Sequence, residues 1–134
     1  MKKTVLLLTS LGLGLGALQG QTVPQFINYQ GRVTEATGLP LGATGTPAAP
    51  VAAPVNRKII FRLYDAATSG TRLWTEEQTV TISLGDFSVL LGQGINATGT
   101  AAGESRPTLE SVFTSSGVGR FLEVTVDNGD GTIN

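Results

Sequence analysis

Lys58 to Leu91 reads KIIFRLYDAATSGTRLWTEEQTVTISLGDFSVLL, and the alternation within it decides the fold class. Ile59, Phe61 and Leu63 fall on one side of an extended segment and Lys58, Arg62 and Tyr64 on the other. That is the period-2 pattern of a strand with one buried face. Ala66 to Thr71 has the small residues and glycine of a turn, and Leu73 to Ser83 is a second extended run rich in Thr, Val, Ile and Trp. Ser83 to Asp86 offers Gly85 and Asp86 for a hairpin, after which Phe87, Val89 and Leu91 alternate with Ser88 and Leu90. The stretch predicts three antiparallel strands in a meander.

Working outward, Phe26 to Thr34 (FINYQGRVT) sets Ile27, Tyr29 and Val33 against Asn28, Gln30 and Arg32, another strand. Gly31 falls on the Ile27 face, where a missing side chain marks a bulge or a close approach by a neighbour. Glu35 to Gly42 reads as a turn around Gly38 with a short apolar return at Leu39 and Leu41. Residues 43–56 (ATGTPAAPVAAPVN) change to Ala, Pro, Thr and Gly, which predicts a projecting loop of polyproline character rather than strands. Residues 92–106 predict a second loose segment, with a chance-level glycosylation sequon at Asn96. Leu109, Val112 and Phe113 stand at i, i+3 and i+4 behind Pro107, a one- or two-turn helix with Ser105 available as its cap. Arg120 to Asp127 gives the last strand, with Leu122, Val124 and Val126 against Phe121, Glu123 and Thr125. Asn128 to Asn134 (NGDGTIN) holds two hairpin dipeptides and little to return, which reads as a vestigial hairpin or a truncated domain.

The chain of 134 residues opens with Lys2, Lys3 and an apolar run from Val5 to Leu18, a secretory signal peptide over residues 1–20. The run is too short and glycine-rich for a spanning helix, and a single domain remains at 21–134. Losing Lys2 and Lys3 takes the net charge from −1 to −3, which excludes the basic footprint of a nucleic-acid partner. Cysteine is absent although export would allow disulfides, so burial must hold the domain together.

Histidine is absent too, which removes the commonest general base, nucleophile partner and transition-metal ligand. The composition therefore points to a protein that is not an enzyme and uses no metal or cofactor. Glu76 and Glu77 are adjacent, so on a strand they face opposite ways and cannot flank one bond. They read as exposed carboxylates on a solvated sheet. DNGDG at Asp127 to Gly131 has Gly129 where a calcium loop needs an oxygen ligand. Trp74 and Tyr64 are the candidate ligand-binding residues. Trp74 reads first as core, on one face with Val80 and Ile82, if a bulge near Glu76 and Glu77 accommodates Glu76 and Gln78. Without that bulge Leu73 faces in. The second reading makes Trp74 and Tyr64 an exposed stacking platform for sugars.

INYQGRVTEATGLPL (27–41), IFRLYDAATSGTRLWTEEQTVTISLGDFSVLLG (60–92) and RFLEVTV (120–126) together resemble the N-terminal β-rich module of large secreted bacterial proteins. In that family the module often precedes repetitive, collagen-like or tail-fibre-like regions. The resemblance implies a surface or fibre component, and it brings no catalytic residues with it. The Ala/Pro-rich segment at 43–56 is longer than the family's usual link. GRVTEATGLPL (31–41) is also similar to the opening of transthyretin-like and carboxypeptidase-regulatory-like sandwiches. The expected fold is an all-β, antiparallel two-sheet β-sandwich, transthyretin-like or Ig-like, with one short helix. The expected role is structural or adhesive, secreted to the cell surface or periplasm of a bacterium, with other surface or fibre proteins or glycans as partners and homo-oligomerisation left open. The alternative is a carbohydrate-binding module using Trp74 and Tyr64.

Overall fold

The computed structural model describes residues 25–114 and 119–129. Its strands are β1 (Ile27–Arg32), β2 (Ala43–Thr46), β3 (Ala49–Ala52), β4 (Val55–Tyr64), β5 (Arg72–Ile82), β6 (Asp86–Leu91) and β7 (Phe121–Val126), with one short helix, α1 (Leu109–Val112). Every pairing is antiparallel: β5-β4-β7 form one sheet, β1-β6 a second and β2-β3 a third. The all-β class read from the sequence holds, with three sheets where two were expected. The expected signal peptide, and the chain beyond Gly129, lie outside the described residues. Among those described, no helix is long and apolar enough to cross a membrane.

The expected meander is half right. β4 and β5 pair along their length, but β6 leaves that sheet after a single bridge between Ser83 and Asp86 and pairs with β1. The turn between them centres on Leu84 and Gly85, whose φ values of 50° and 87° give the primed geometry of a tight hairpin. A neighbouring segment holds that tip. Leu84 and Gly85 donate backbone N–H groups to Gly42 and Leu41, and Gly85 accepts from Val33 at 2.9 Å, which draws β6 toward β1.

One core joins the two larger sheets. Ile59, Phe61, Leu63, Trp74, Val80 and Ile82 from β4 and β5 pack with Phe87, Val89 and Leu91 from β6 and with Leu109 and Val112 from α1. The Tyr29 ring of β1 meets Phe61 edge-on at 5.9 Å between centroids, so the sheets touch through aromatic faces in a sandwich-like layering. Gly31 lies opposite Phe87, and a Cβ there would run into that ring, the close approach its position suggested.

Three segments differ from the sequence reading. The Ala/Pro segment is a hairpin, with β2 and β3 joined by Pro47 and Ala48. Its prolines do not forbid this. Thr46 and Ala49 flank a two-residue loop, so Gly45 and Pro50 form the next, non-hydrogen-bonded pair, where the missing N–H of proline costs nothing. Residues 92–106 are not loose either: Ala97 and Ala101 bury Ile60 on the face of β4 turned away from the main core. The Ile59, Ile60, Phe61 run is apolar because the strand is covered on both faces. α1 buries Leu109 and Val112 and packs Phe113 as expected, yet its cap is Thr108. The Ser105 carbonyl accepts the Thr75 N–H at 3.0 Å instead.

Candidate functional site

The chemistry-bearing side chains gather along β5. Its sequence puts Trp74, Glu76, Gln78, Val80 and Ile82 on one face and Thr75 and Glu77 on the other, and both carboxylates are buried, at 0% and 4% exposure. The exposed, solvated carboxylates expected there are therefore corrected, because each face is covered. The register irregularity lies between Leu63 and Tyr64, opposite Leu73, and not near Glu76 and Glu77. Nothing turns Glu76 away from the core face. Its charge is met in place.

Glu76 receives the Gly92 N–H at 3.0 Å, the Gln78 side-chain amide and the Arg106 guanidinium at 2.9 Å. Gln78 also donates to the Leu90 carbonyl and Arg106 to the Gly92 carbonyl, both at 3.0 Å. These bonds tie the end of β6 to β5 where no backbone ladder does so. A buried carboxylate survives in such a place only when charge-assisted donors replace its lost water.

The opposite face carries a second network. Glu77 accepts from the Thr98 N–H and hydroxyl, both at 2.8 Å, and pairs with Lys58 at 3.3 Å. Glu104 takes a two-pronged contact from Arg62 at 2.8 and 3.2 Å, the Thr75 hydroxyl at 2.8 Å and Arg72 at 3.3 Å. Arg62 also reaches Glu123 on β7 at 2.9 Å. Burial opposes ionisation of Glu77, but Thr98 and Lys58 outweigh it and hold the carboxyl below its usual range. The Arg62 hydrogen bond does the same for Glu104, and in return Glu104 raises Arg62 further. Glu76, Glu77 and Glu104 each fasten residues 92–106 to the sheet. The signal for this was the IIF run, which called for a cover; Arg62, Glu104 and Arg106 themselves carry no pattern.

At one end of the core a cavity of about 310 Å³ is lined by Phe26, Trp74, Arg106, Pro107, Leu109 and Glu110, among others. Trp74 is 1% exposed and forms part of its floor, in accord with the core reading. Tyr64 is half-buried and lines a separate groove with Gly70, Phe121 and Glu123. The two rings expected to share a platform thus face different spaces. In the DNGDG stretch, described only to Gly129, Asp127 stands 3.9 Å from Arg57. Among the described residues no three acids gather as a metal centre would require.

Fold and site together define an all-β domain in which buried ion pairs bind long loops to the faces and one edge of a sheet. The chain belongs to the family of the domain of unknown function DUF8740, whose model matches residues 28–134. No curated protein matches it, and no solved structure does.

Proposed function

We propose that this protein is an exported, non-enzymatic module with a structural or adhesive role at a bacterial surface. The observation that supports this most is the employment of its buried acids: Glu76, Glu77 and Glu104 are each saturated by donors that hold loops in place. A catalytic carboxylate needs a face open to substrate and a proton to exchange. The oxygens of these three are taken up by such donors, and their arrangement suits a rigid domain that presents surface. The resemblance to the N-terminal module of secreted fibre-like proteins and the basic-then-apolar opening of the chain support export. The test is protease shaving and antibody labelling of intact cells of the source organism. Labelling of unpermeabilised cells is the expected result; recovery from the cytosol with residues 1–20 still attached would defeat the reading.

The glycan-binding alternative keeps one observation in its favour. Phe26, 44% exposed, stands at the cavity beside Arg106 and Glu110, an aromatic surface with polar neighbours. A glycan array decides between the two: binding abolished by Phe26→Ala in a folded protein would favour the alternative.

A further inference from the structure

Asn128 is the one asparagine of the chain that is followed by glycine; Asn28, Asn56 and Asn96 precede Tyr29, Arg57 and Ala97. The pair stands where the sheet releases the chain. The Asp127 N–H donates to the Lys58 carbonyl at 2.9 Å, the last described rung of the β4–β7 ladder. Beyond it Asn128 is exposed, and the N–H groups of Asn128 and Gly129 donate to no described group. Gly129 has a φ of 93°, and a Cβ built there would stand 3.0 Å from the Arg57 guanidinium carbon and Nη2. Only glycine fits both the dihedral and the space. Arg57 therefore lies along the backbone of this turn, with its Nη1 donating to the Asn56 carbonyl at 3.0 Å and its Nε 3.9 Å from Asp127 Oδ1. That Asp127 oxygen is buried and has no hydrogen-bond partner.

We propose that Asn128 is a self-modification site, where the Gly129 backbone nitrogen displaces the side-chain amide with the help of Arg57 and a neutral residue becomes aspartate or isoaspartate. The Gly129 nitrogen gives up its proton to hydroxide and attacks Asn128 Cγ. The new C–N bond closes a succinimide ring, and the Cγ–Nδ2 bond breaks as ammonia leaves. Water then opens the ring: at Cγ it restores the ordinary backbone with an aspartate, and at the main-chain carbonyl it leaves the chain running through Cγ as isoaspartate. One water is consumed and one ammonia released, with no oxidation. The turn supplies what this step needs, an exposed side chain, a nitrogen free of hydrogen bonds and no Cβ in the line of attack. Arg57 stabilises the negative charge that builds on the nitrogen and on the Cγ oxygen, as a fixed cation does for any developing anion. The product carboxylate competes with Asp127 for Arg57, and isoaspartate lengthens the backbone just past the rung at Lys58. Both changes loosen the end of β7.

The test is a time course on the purified protein at neutral and mildly alkaline pH. Trypsin cuts after Arg120 and frees a peptide that starts at Phe121 and holds Asn128. Mass spectrometry of that peptide reads the change from amide to acid, and electron-based fragmentation tells aspartate from isoaspartate. Asn128 should convert ahead of Asn28, Asn56 and Asn96, faster as pH rises, and at least as fast in the folded chain as in urea. Arg57→Met should slow the folded chain about threefold to tenfold, the effect of one nearby charge at a partly exposed place, and Arg57→Lys should keep most of the rate. Arg57→Gln repeats the comparison where methionine disturbs folding. In urea all of these chains should convert alike. Protection of the Asp127 amide against hydrogen exchange should be lower in converted molecules. An Asn128 that stays intact in the folded chain while converting in urea overturns the proposal. So does a folded, neutral Arg57 variant that converts at the parent rate.

Discussion

The two edges of the central sheet are built from strands of similar composition and finished in opposite ways. The β5 edge is sealed over Thr75 to Glu77: the Thr75 N–H is taken by Ser105, Glu77 exchanges two backbone bonds with Ile95, and Glu76 and Glu77 anchor Arg106, Gly92 and Thr98 around it. At the β7 edge three backbone pairs face outward and the apolar side chains beneath are half-covered. A sheet edge can thus be closed by irregular backbone when buried charges fix it. Charged residues along a strand do not by themselves mean a solvated face.

The contrast is strongest in packing. Trp74→Ala on the sealed side should cost about 3–5 kcal/mol, and Val124→Ala on the open side under about 1.5 kcal/mol, as it is smaller and already partly exposed. Denaturant midpoints for the two variants measure this, and equal losses would erase the distinction. Next comes the charge that seals the edge. Arg106→Leu leaves the fully buried Glu76 with neutral donors only and should cost about 3 kcal/mol. Lys58→Met should cost under about 1 kcal/mol, because Glu77 keeps both Thr98 bonds and Lys58 is partly exposed.

Acid should separate the edges without any mutation. Glu77 and Glu104 have carboxyl groups held below their ordinary value of 4.5, so they contribute stability that is present above that pH and lost as pH falls through their lower folded values. Protection of the Glu77, Ile95 and Thr75 amides, measured against their intrinsic exchange rates at each pH, should therefore fall in acid before protection in the β4–β7 ladder does. Glu104→Gln should flatten that response. The smallest effect belongs to the β2–β3 hairpin, whose residues are exposed from Thr44 to Ala52. Replacing residues 44–51 with a short Gly-Ser link should change stability by under about 1 kcal/mol, because closure entropy varies slowly with length. Val55 must stay, since it pairs with Ile82 and packs on the core.

The strands of this domain were legible because their apolar residues alternate. Ile59, Phe61 and Leu63 and the β7 valines declare a face by spacing alone. Which strand pairs with which was not legible, since β6 is steered to β1 by backbone bonds from residues 33 and 41–42 that carry no side-chain signature. The site was legible only as a problem. Glu76 and Gln78 interrupt an apolar face, and the solution lies in Arg106, far along the chain in a segment without periodicity. The β2–β3 hairpin was hidden by composition, because proline signals an extended excursion whether or not its unpaired side happens to face outward.

The pairing of the first strand with the sixth governs how quickly this domain assembles. β1 pairs with a strand far along the chain, so a long stretch must be closed before that contact offsets the entropy lost. Until then the apolar faces of β1 and β6 wait uncovered. Long-range pairing of this kind slows assembly and lengthens the time during which unpaired apolar strand faces are open to misassociation.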